Sequence, residues 1–192
     1  VSVLDMASAY STFAARGKHI EPYFLRRVEA ADGEVLFDAA TEIQPEQVIS
    51  EEVADTVNSV LSGVLVKGTG ASANIGTVAA GKTGTTTDYK DAWFVGYTCT
   101  LTAAVWMGYE QPQAMEEFKG EEVSGGTWPA RIWHDFMSEA TEDDDTDCEF
   151  PTTDAGERLV NQSLEWARTT TTVASKRSTT TTTPGSGTSS SV

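Results

Sequence analysis

Apolar positions in the first fifteen residues recur at helical spacing. In SVLDMASAYSTFAA, residues 2–15, Leu4, Met6, Ala7, Tyr10, Phe13 and Ala14 fall near one stripe, and Gly17 stands where a helix stops. Pro22 and the runs YFLRRVEA and AADGEVLF follow. Two short apolar runs about Asp32-Gly33 predict a hairpin, because that dipeptide tolerates the positive φ angles of a tight turn. Ser50 is a good N-cap for a helix over Glu51–Lys67. Glu51, Glu52 and Asp55 lie toward the positive end of its dipole and Lys67 near the negative end. Val53, Val57, Val60, Leu61, Val64 and Leu65 are the face predicted to be buried, and Gly68-Thr69-Gly70 ends the helix.

Three strands are predicted next: TVAAGKTGTT, AWFVGYT and LTAAVWMGYE. Their short joins favour antiparallel neighbours. GGTWPARIWHDFMSEA then predicts a helix, with Pro129 in its first turn and Ile132, Trp133, Phe136 and Met137 as its apolar face. Past about Glu139 the pattern fails. Residues 141–168 read as an acidic linker, with at most a short helix over 155–168. Residues 169–192 are a Thr/Ser-rich tail with too few apolar side chains to offset the entropy of folding, and are predicted to be disordered. The folded unit is thus expected over residues 1–140. Its fold class is α+β, an antiparallel sheet flanked by helices.

A chain of 192 residues holds one ordinary domain and a tail. Its net charge of -16 lacks the basic stripe that nucleic acid binding needs. The densest run of acids follows Ser138, in EATEDDDTDCE, at the start of the linker. No apolar run approaches the roughly 20 residues of a membrane helix. Val1 opens on the threshold of an amphipathic helix, which reads as a fragment of a longer product. Two cysteines without a C-x-x-C pair, and two distant histidines, His19 and His134, make a zinc site unexpected. Asp143, Asp145 and Asp147, with Asp154 beyond them, begin like a calcium loop. The glycine that such a loop needs is Cys148, however, and a solvated acidic linker is the preferred reading. No metal and no organic cofactor are expected.

Lys82-Thr83-Gly84-Thr85 is the stretch that carries chemistry. A given Lys-Thr-Gly triplet arises by chance in roughly 4% of chains this long, and a lysine on an edge strand also guards against aggregation. Its setting adds more. Gly84 within a strand lets another backbone or a ligand approach closely. The hydroxyls of Thr83 and Thr85 alternate with Gly84 and so share a face of the strand. A cation and two hydroxyls on the lip of an edge strand suit a substrate carboxylate, and the exposed N–H groups of the edge suit an extended peptide or its carbonyl.

GKTGTTTDYKDAWFVGYT resembles the third-motif strand and following strand of penicillin-binding proteins, specifically the transpeptidase domain of class A (bifunctional) cell-wall synthases. SVLDMASAYSTFAARGKHIEPYFLRRVEAADGEVL resembles the family segment after its second motif. SVLSGVLVKGTGASA is similar to its helix and Gly-Thr-Gly turn, and GGTWPARIWHDF to its terminal helix. These stretches span most of residues 1–140 in the family's order. The resemblance implies the C-terminal portion of the penicillin-binding/serine β-lactamase-like transpeptidase fold. It also implies a serine acyl-enzyme that cross-links peptidoglycan stem peptides and is acylated by β-lactams.

Carried over by that resemblance, Lys82 and Thr85 are the expected catalytic residues. Lys82 would serve the proton network and attract the donor carboxylate, and the Thr85 N–H would be half of the oxyanion hole. Thr83, Gly84, Thr85 and Thr86 are the expected substrate-binding residues; Thr87 and Asp88 would line the site's edge. The family's Ser-x-x-Lys is absent: no lysine of the chain has a serine three positions before it, and the nearest imitation is Thr87-Asp-Tyr-Lys90. Ser72-Ala-Asn74 fits the second motif, Ser-x-Asn, but stands just before the third motif, where the family does not place it, and reads as a polar turn. The fragment is therefore expected to be inactive alone. Its parent would be anchored through an upstream membrane helix and act on the outer face of the cytoplasmic membrane.

Cys99 stands where the family usually has proline. In a protein acting outside the cytoplasm, Cys99 and Cys148 are expected to form a disulfide; the alternative is two unrelated thiols. Asp91, Trp93 and Phe94 are either a substrate rim or strand core, and core is preferred. Asn161-Gln-Ser163 matches a glycosylation sequon in composition only. Two other functions stay open. One is a serine β-lactamase relative, which shares the Lys-Thr-Gly strand. The other is a non-catalytic, secreted wall-associated binding module with the tail as a spacer.

Overall fold

The computed structural model describes residues 1–115, 117–144 and 146–162. Helix α1 spans Val3–Ala14. Its N-terminus is closed reciprocally, with Ser2 Oγ accepting from the Asp5 N–H and Asp5 accepting from the Ser2 N–H. Gly17 follows with φ +89°, and a Cβ there would stand 2.2 Å from the Ile49 carbonyl oxygen, so both conformation and space demand glycine. Strand β1 (Lys18–His19) pairs antiparallel with β4 (Glu46–Gln47). Between them β2 (Arg27–Glu29) and β3 (Val35–Asp38) form the hairpin about Gly33, followed by the short helix α2 (Ala39–Glu42).

Helix α3 covers Glu51–Lys67, and Ser50 Oγ caps it by accepting from the Val53 N–H. Its buried face overlaps the predicted one in part: Leu65 is buried and Val57, Val60, Leu61 and Val64 are partly buried. Val53 is half exposed, while Ala54, Asp55, Asn58 and Leu65 are buried. Polar side chains win these positions because α1 and the turn after it supply partners for them. The Arg16 guanidinium donates to both Asp55 oxygens at 2.9 and 2.7 Å, and Asn58 donates to the Phe13 carbonyl at 3.0 Å. Asn58 also accepts from the Tyr97 hydroxyl at 2.6 Å.

The central sheet is β5 (Ala80–Thr85), β6 (Asp91–Tyr97) and β7 (Thr102–Gly108), antiparallel and in that spatial order. Side chains alternate along β6. Phe94 turns to one face, 5.2 Å from the ring of Trp133 in helix α4 (Trp128–Ala140). Tyr97 turns to the other, 6.3 Å from Tyr10 of α1. The main core joins Leu65, Ala73, Ala79, Phe94, Ala130, Trp133 and Met137. The Trp133 indole N–H is satisfied by the carbonyls of Gly96 and Ala103. On α4 only half of the predicted apolar face is buried. Trp133 and Met137 are inside, whereas Ile132 and Phe136 are half exposed, because the sheet covers a narrower stripe than the four side chains span.

A small hairpin of β8 (Glu117–Phe118) and β9 (Glu121–Glu122) lies between β7 and α4. Past α4 the chain returns to the sheet. Cys148 is bonded to Cys99, with Cα atoms 5.6 Å apart. Phe150 packs its ring 5.6 Å from Tyr97, Thr153 Oγ1 lies 2.9 Å from Thr56 Oγ1, and residues 154–162 are helical. Asp145 of the calcium alternative, Ser163 of the sequon and the tail of residues 169–192 lie outside the described residues. Among the described residues no helix is long and apolar enough to cross a membrane.

Candidate active site

β5 is one of the two outer strands of its sheet, and the Lys82–Thr85 stretch lies on it. In register, Lys82 faces Val95, Thr83 faces Phe94, Gly84 faces Trp93 and Thr85 faces Ala92. The Thr86 N–H donates inward to the Asp91 carbonyl at 3.0 Å. Alternation along an antiparallel ladder then turns the N–H and C=O groups of Thr85 and Thr83 to the outer edge. The lysine agrees with this geometry: exposed Lys82 Nζ curls over the edge and donates to the Thr83 carbonyl at 2.7 Å.

Lys82 and Gly84 share one face of the strand, and Thr83 and Thr85 share the other. A Cβ at Gly84 would have the Trp93 Cβ as its nearest neighbour, at 3.3 Å. Trp93 leans on Trp106, whose indole donates to Asp91 at 3.0 Å. Thus Phe94 is core, while Trp93 is only half-buried and sits beside the site. Thr86 closes the turn between β5 and β6, its hydroxyl accepting from the Asp91 N–H at 2.8 Å. In the 3₁₀ turn Thr87–Tyr89, Asp88 and Tyr89 both have positive φ, and Asp88 pairs with Lys90 at 3.6 Å. The Glu122 carboxylate beside Tyr89 holds its phenol above the ordinary value, by charge and by hydrogen bonding. That contact joins the β8–β9 hairpin to the turn between β5 and β6. Ser72 and Asn74 lie in a tight turn, where Asn74 Oδ1 accepts from the Gly76 N–H at 2.9 Å.

Two further residues touch the threonines, and the sequence pattern does not single them out. Thr69 Oγ1 lies 2.7 Å from Thr83 Oγ1, and the Gly125 N–H donates to Thr85 Oγ1 at 3.0 Å. Both stand in glycine-containing turns: Gly68-Thr69-Gly70, which reads as the end of a helix, after α3, and Gly125-Gly126 before α4. The pairing of each turn with a strand hydroxyl is a tertiary contact with no sequence signal of its own.

Residues 1–138 match the family model described as the penicillin binding protein transpeptidase domain. Penicillin-binding protein 1A of Mycolicibacterium smegmatis is 40% identical over 154 residues, covering 76% of this chain and 19% of that protein. Penicillin-binding protein 1F of Bacillus subtilis is 36% identical over 148 residues, 74% of this chain and 20% of that protein. The chain thus spans about a fifth of the length of these curated relatives. Among solved structures, the penicillin-binding protein PonA1 of Mycobacterium tuberculosis superposes with a TM-score of 0.68 at 38% identity, over 80% of this chain and 42% of that one. The same protein in complex with penicillin V matches equally well. The α+β fold, the order of its elements and these matches agree, and the chain belongs to the penicillin-binding protein transpeptidase domain family.

Proposed function

We propose that this chain supplies the substrate-binding and oxyanion strand of a serine D-Ala-D-Ala transpeptidase that cross-links peptidoglycan and is acylated by β-lactams. The observation that carries the reading is the open outer edge of β5, where the Lys82 ammonium, the outward N–H of Thr85 and two threonine hydroxyls stand together. An extended D-Ala-D-Ala stem adds to such an edge as a further strand. Lys82 attracts its terminal carboxylate, and the Thr83 and Thr85 hydroxyls hold that carboxylate. Gly84 leaves room for the donor, and Thr86 shapes the end of the strand.

The chain has no Ser-x-x-Lys, so the nucleophile comes from the remainder of a larger protein. That serine loses its proton into the network that Lys82 joins and attacks the carbonyl between the two terminal alanines. The Thr85 N–H stabilises the oxyanion, and one such donor contributes about 3 kcal/mol to the transition state. D-Alanine leaves with a proton, and an ester to the serine remains. The amine of a second stem peptide then attacks the ester, forms the cross-link and frees the serine. The parent works on the outer face of the cytoplasmic membrane, anchored outside the present residues, and this chain alone is inactive.

Covalent labelling by a fluorescent penicillin tests the reading. The whole protein should take up one label, on a serine outside these 192 residues, and the isolated chain should take up none. A whole protein that stays unlabelled, or a label on a residue of this chain, would contradict it.

A further inference from the structure

The Thr83 and Thr85 hydroxyls are each held by another part of the protein, by a different turn. For Thr85 the polarity of that grip is unambiguous. The partner is the Gly125 backbone N–H, 3.0 Å away, and an N–H only donates. Thr85 Oγ1 is therefore the acceptor, and its single hydrogen stays free to donate elsewhere. For Thr83 the partner is the Thr69 hydroxyl at 2.7 Å, where either oxygen can donate.

The two turns are also pressed together. A Cβ at Gly126 would stand 2.3 Å from the Thr69 carbonyl oxygen, and one at Gly125 would stand 2.3 Å from the Trp93 oxygen and 2.8 Å from the Gly84 nitrogen. The turn after α3 and the turn before α4 thus form one brace across the threonine-bearing face of β5.

We propose that Thr69 and the Gly125 N–H are positioning groups that set the polarity of the two strand hydroxyls, making Thr83 and Thr85 a matched pair of donors to a carboxylate. The proposal rests on the function proposed above and adds how the site selects an anion. A hydroxyl has one hydrogen and rotates to suit its surroundings. Gly125 occupies an acceptor position of Thr85, so that hydrogen is left for the ligand. When a carboxylate takes the hydrogen of Thr83, the Thr69 hydroxyl turns to donate into Thr83 Oγ1. A relay from Thr69 through Thr83 to the anion results, and each bond in such a chain polarises the next. An uncharged ester in the same place is a poorer acceptor and draws less from the relay. Thr69 acts through Thr83 and need not touch the ligand.

The test uses the whole protein and a pair of β-lactams differing only in whether the ring carboxylate is free or methyl-esterified. Acylation rates for both are measured in the wild type and in Thr69→Val, Thr69→Ala and Thr69→Ser. The wild type should prefer the free carboxylate. Thr69→Val, which keeps the shape and removes the hydroxyl, should lower the carboxylate rate about tenfold, the worth of one hydrogen bond in a charged pair, and leave the ester rate nearly unchanged. Thr69→Ser, which keeps the hydroxyl, should restore the preference. A carboxylate-to-ester ratio that stays at the wild-type value in Thr69→Val, or in Thr69→Ala should the valine variant not fold, overturns the proposal, whether both rates hold or both fall together. A wild type that acylates without preferring the carboxylate overturns the carboxylate reading of the strand itself, and this proposal with it.

Discussion

Asn58 and Tyr97 show how much of this molecule turns on single buried polar groups. Asn58 is fully buried, donates to the Phe13 carbonyl and accepts from Tyr97, so one side chain joins α1, α3 and the central sheet. Asn58→Ala should cost about 1–3 kcal/mol in a denaturant titration, because it strands a buried hydroxyl and a carbonyl together. Burial, with a smaller contribution from Tyr10, raises the Tyr97 phenol above the ordinary tyrosine value. The sign follows from which state ionises first. In the unfolded chain Tyr97 ionises near pH 10, while the folded phenol keeps its proton. Its contribution to stability is whole below about pH 10 and is lost as pH rises further, by up to about 1.4 kcal/mol per pH unit. Denaturation midpoints between pH 9 and 11 should fall less steeply in Tyr97→Phe than in the wild type, and equal slopes would contradict this account. At this scale the sequence was only partly legible. Ser50 and Gly33 announce their roles through backbone chemistry. Asn58 and Asp55 do not, because a polar residue in a helix reads as exposed until its partner on another element is known.

Among the elements, the three central strands and the three long helices were legible from periodicity and punctuation, and the antiparallel order followed from short joins. Which face each helix buries was less so. On α3 and α4 the apolar stripe is wider than the surface that covers it, which leaves Val53, Ile132 and Phe136 partly in solvent. The segment after α4 lies beyond the residues matched to the family, yet it docks on α3 through Thr153 and Val160 and is held by the Cys99–Cys148 bond. A cross-link spanning 49 residues removes loop-closure entropy worth about 4 kcal/mol from the unfolded chain in the chain-entropy model. Thiol titration in denaturant without reductant should find no free thiol, and finding two would refute the bond. Cys148→Ser should speed amide exchange over residues 154–162 while β5, β6 and β7 keep their protection.

For the molecule as a whole, the sheet ends in an outer strand that carries the site's cation and hydroxyls, and the chain spans about a fifth of its curated relatives. Lys82-Thr83-Gly84-Thr85 stands out in the sequence as a contiguous motif, and the fold places it on the outer strand β5. The brace behind it does not stand out, because Thr69 and Gly125 meet the strand only once α3 and α4 have packed on the sheet. The central claim is that this edge holds a D-Ala-D-Ala donor for acylation. Release of D-alanine from a stem peptide ending in D-Ala-D-Ala, by the whole protein and by its Lys82→Ala variant, tests it most directly. The wild type should release D-alanine and the variant should lose about a hundredfold or more, the scale of a lost proton-transfer or electrostatic group, with the fold intact. Release within about twofold of the wild type would place the chemistry somewhere other than this strand.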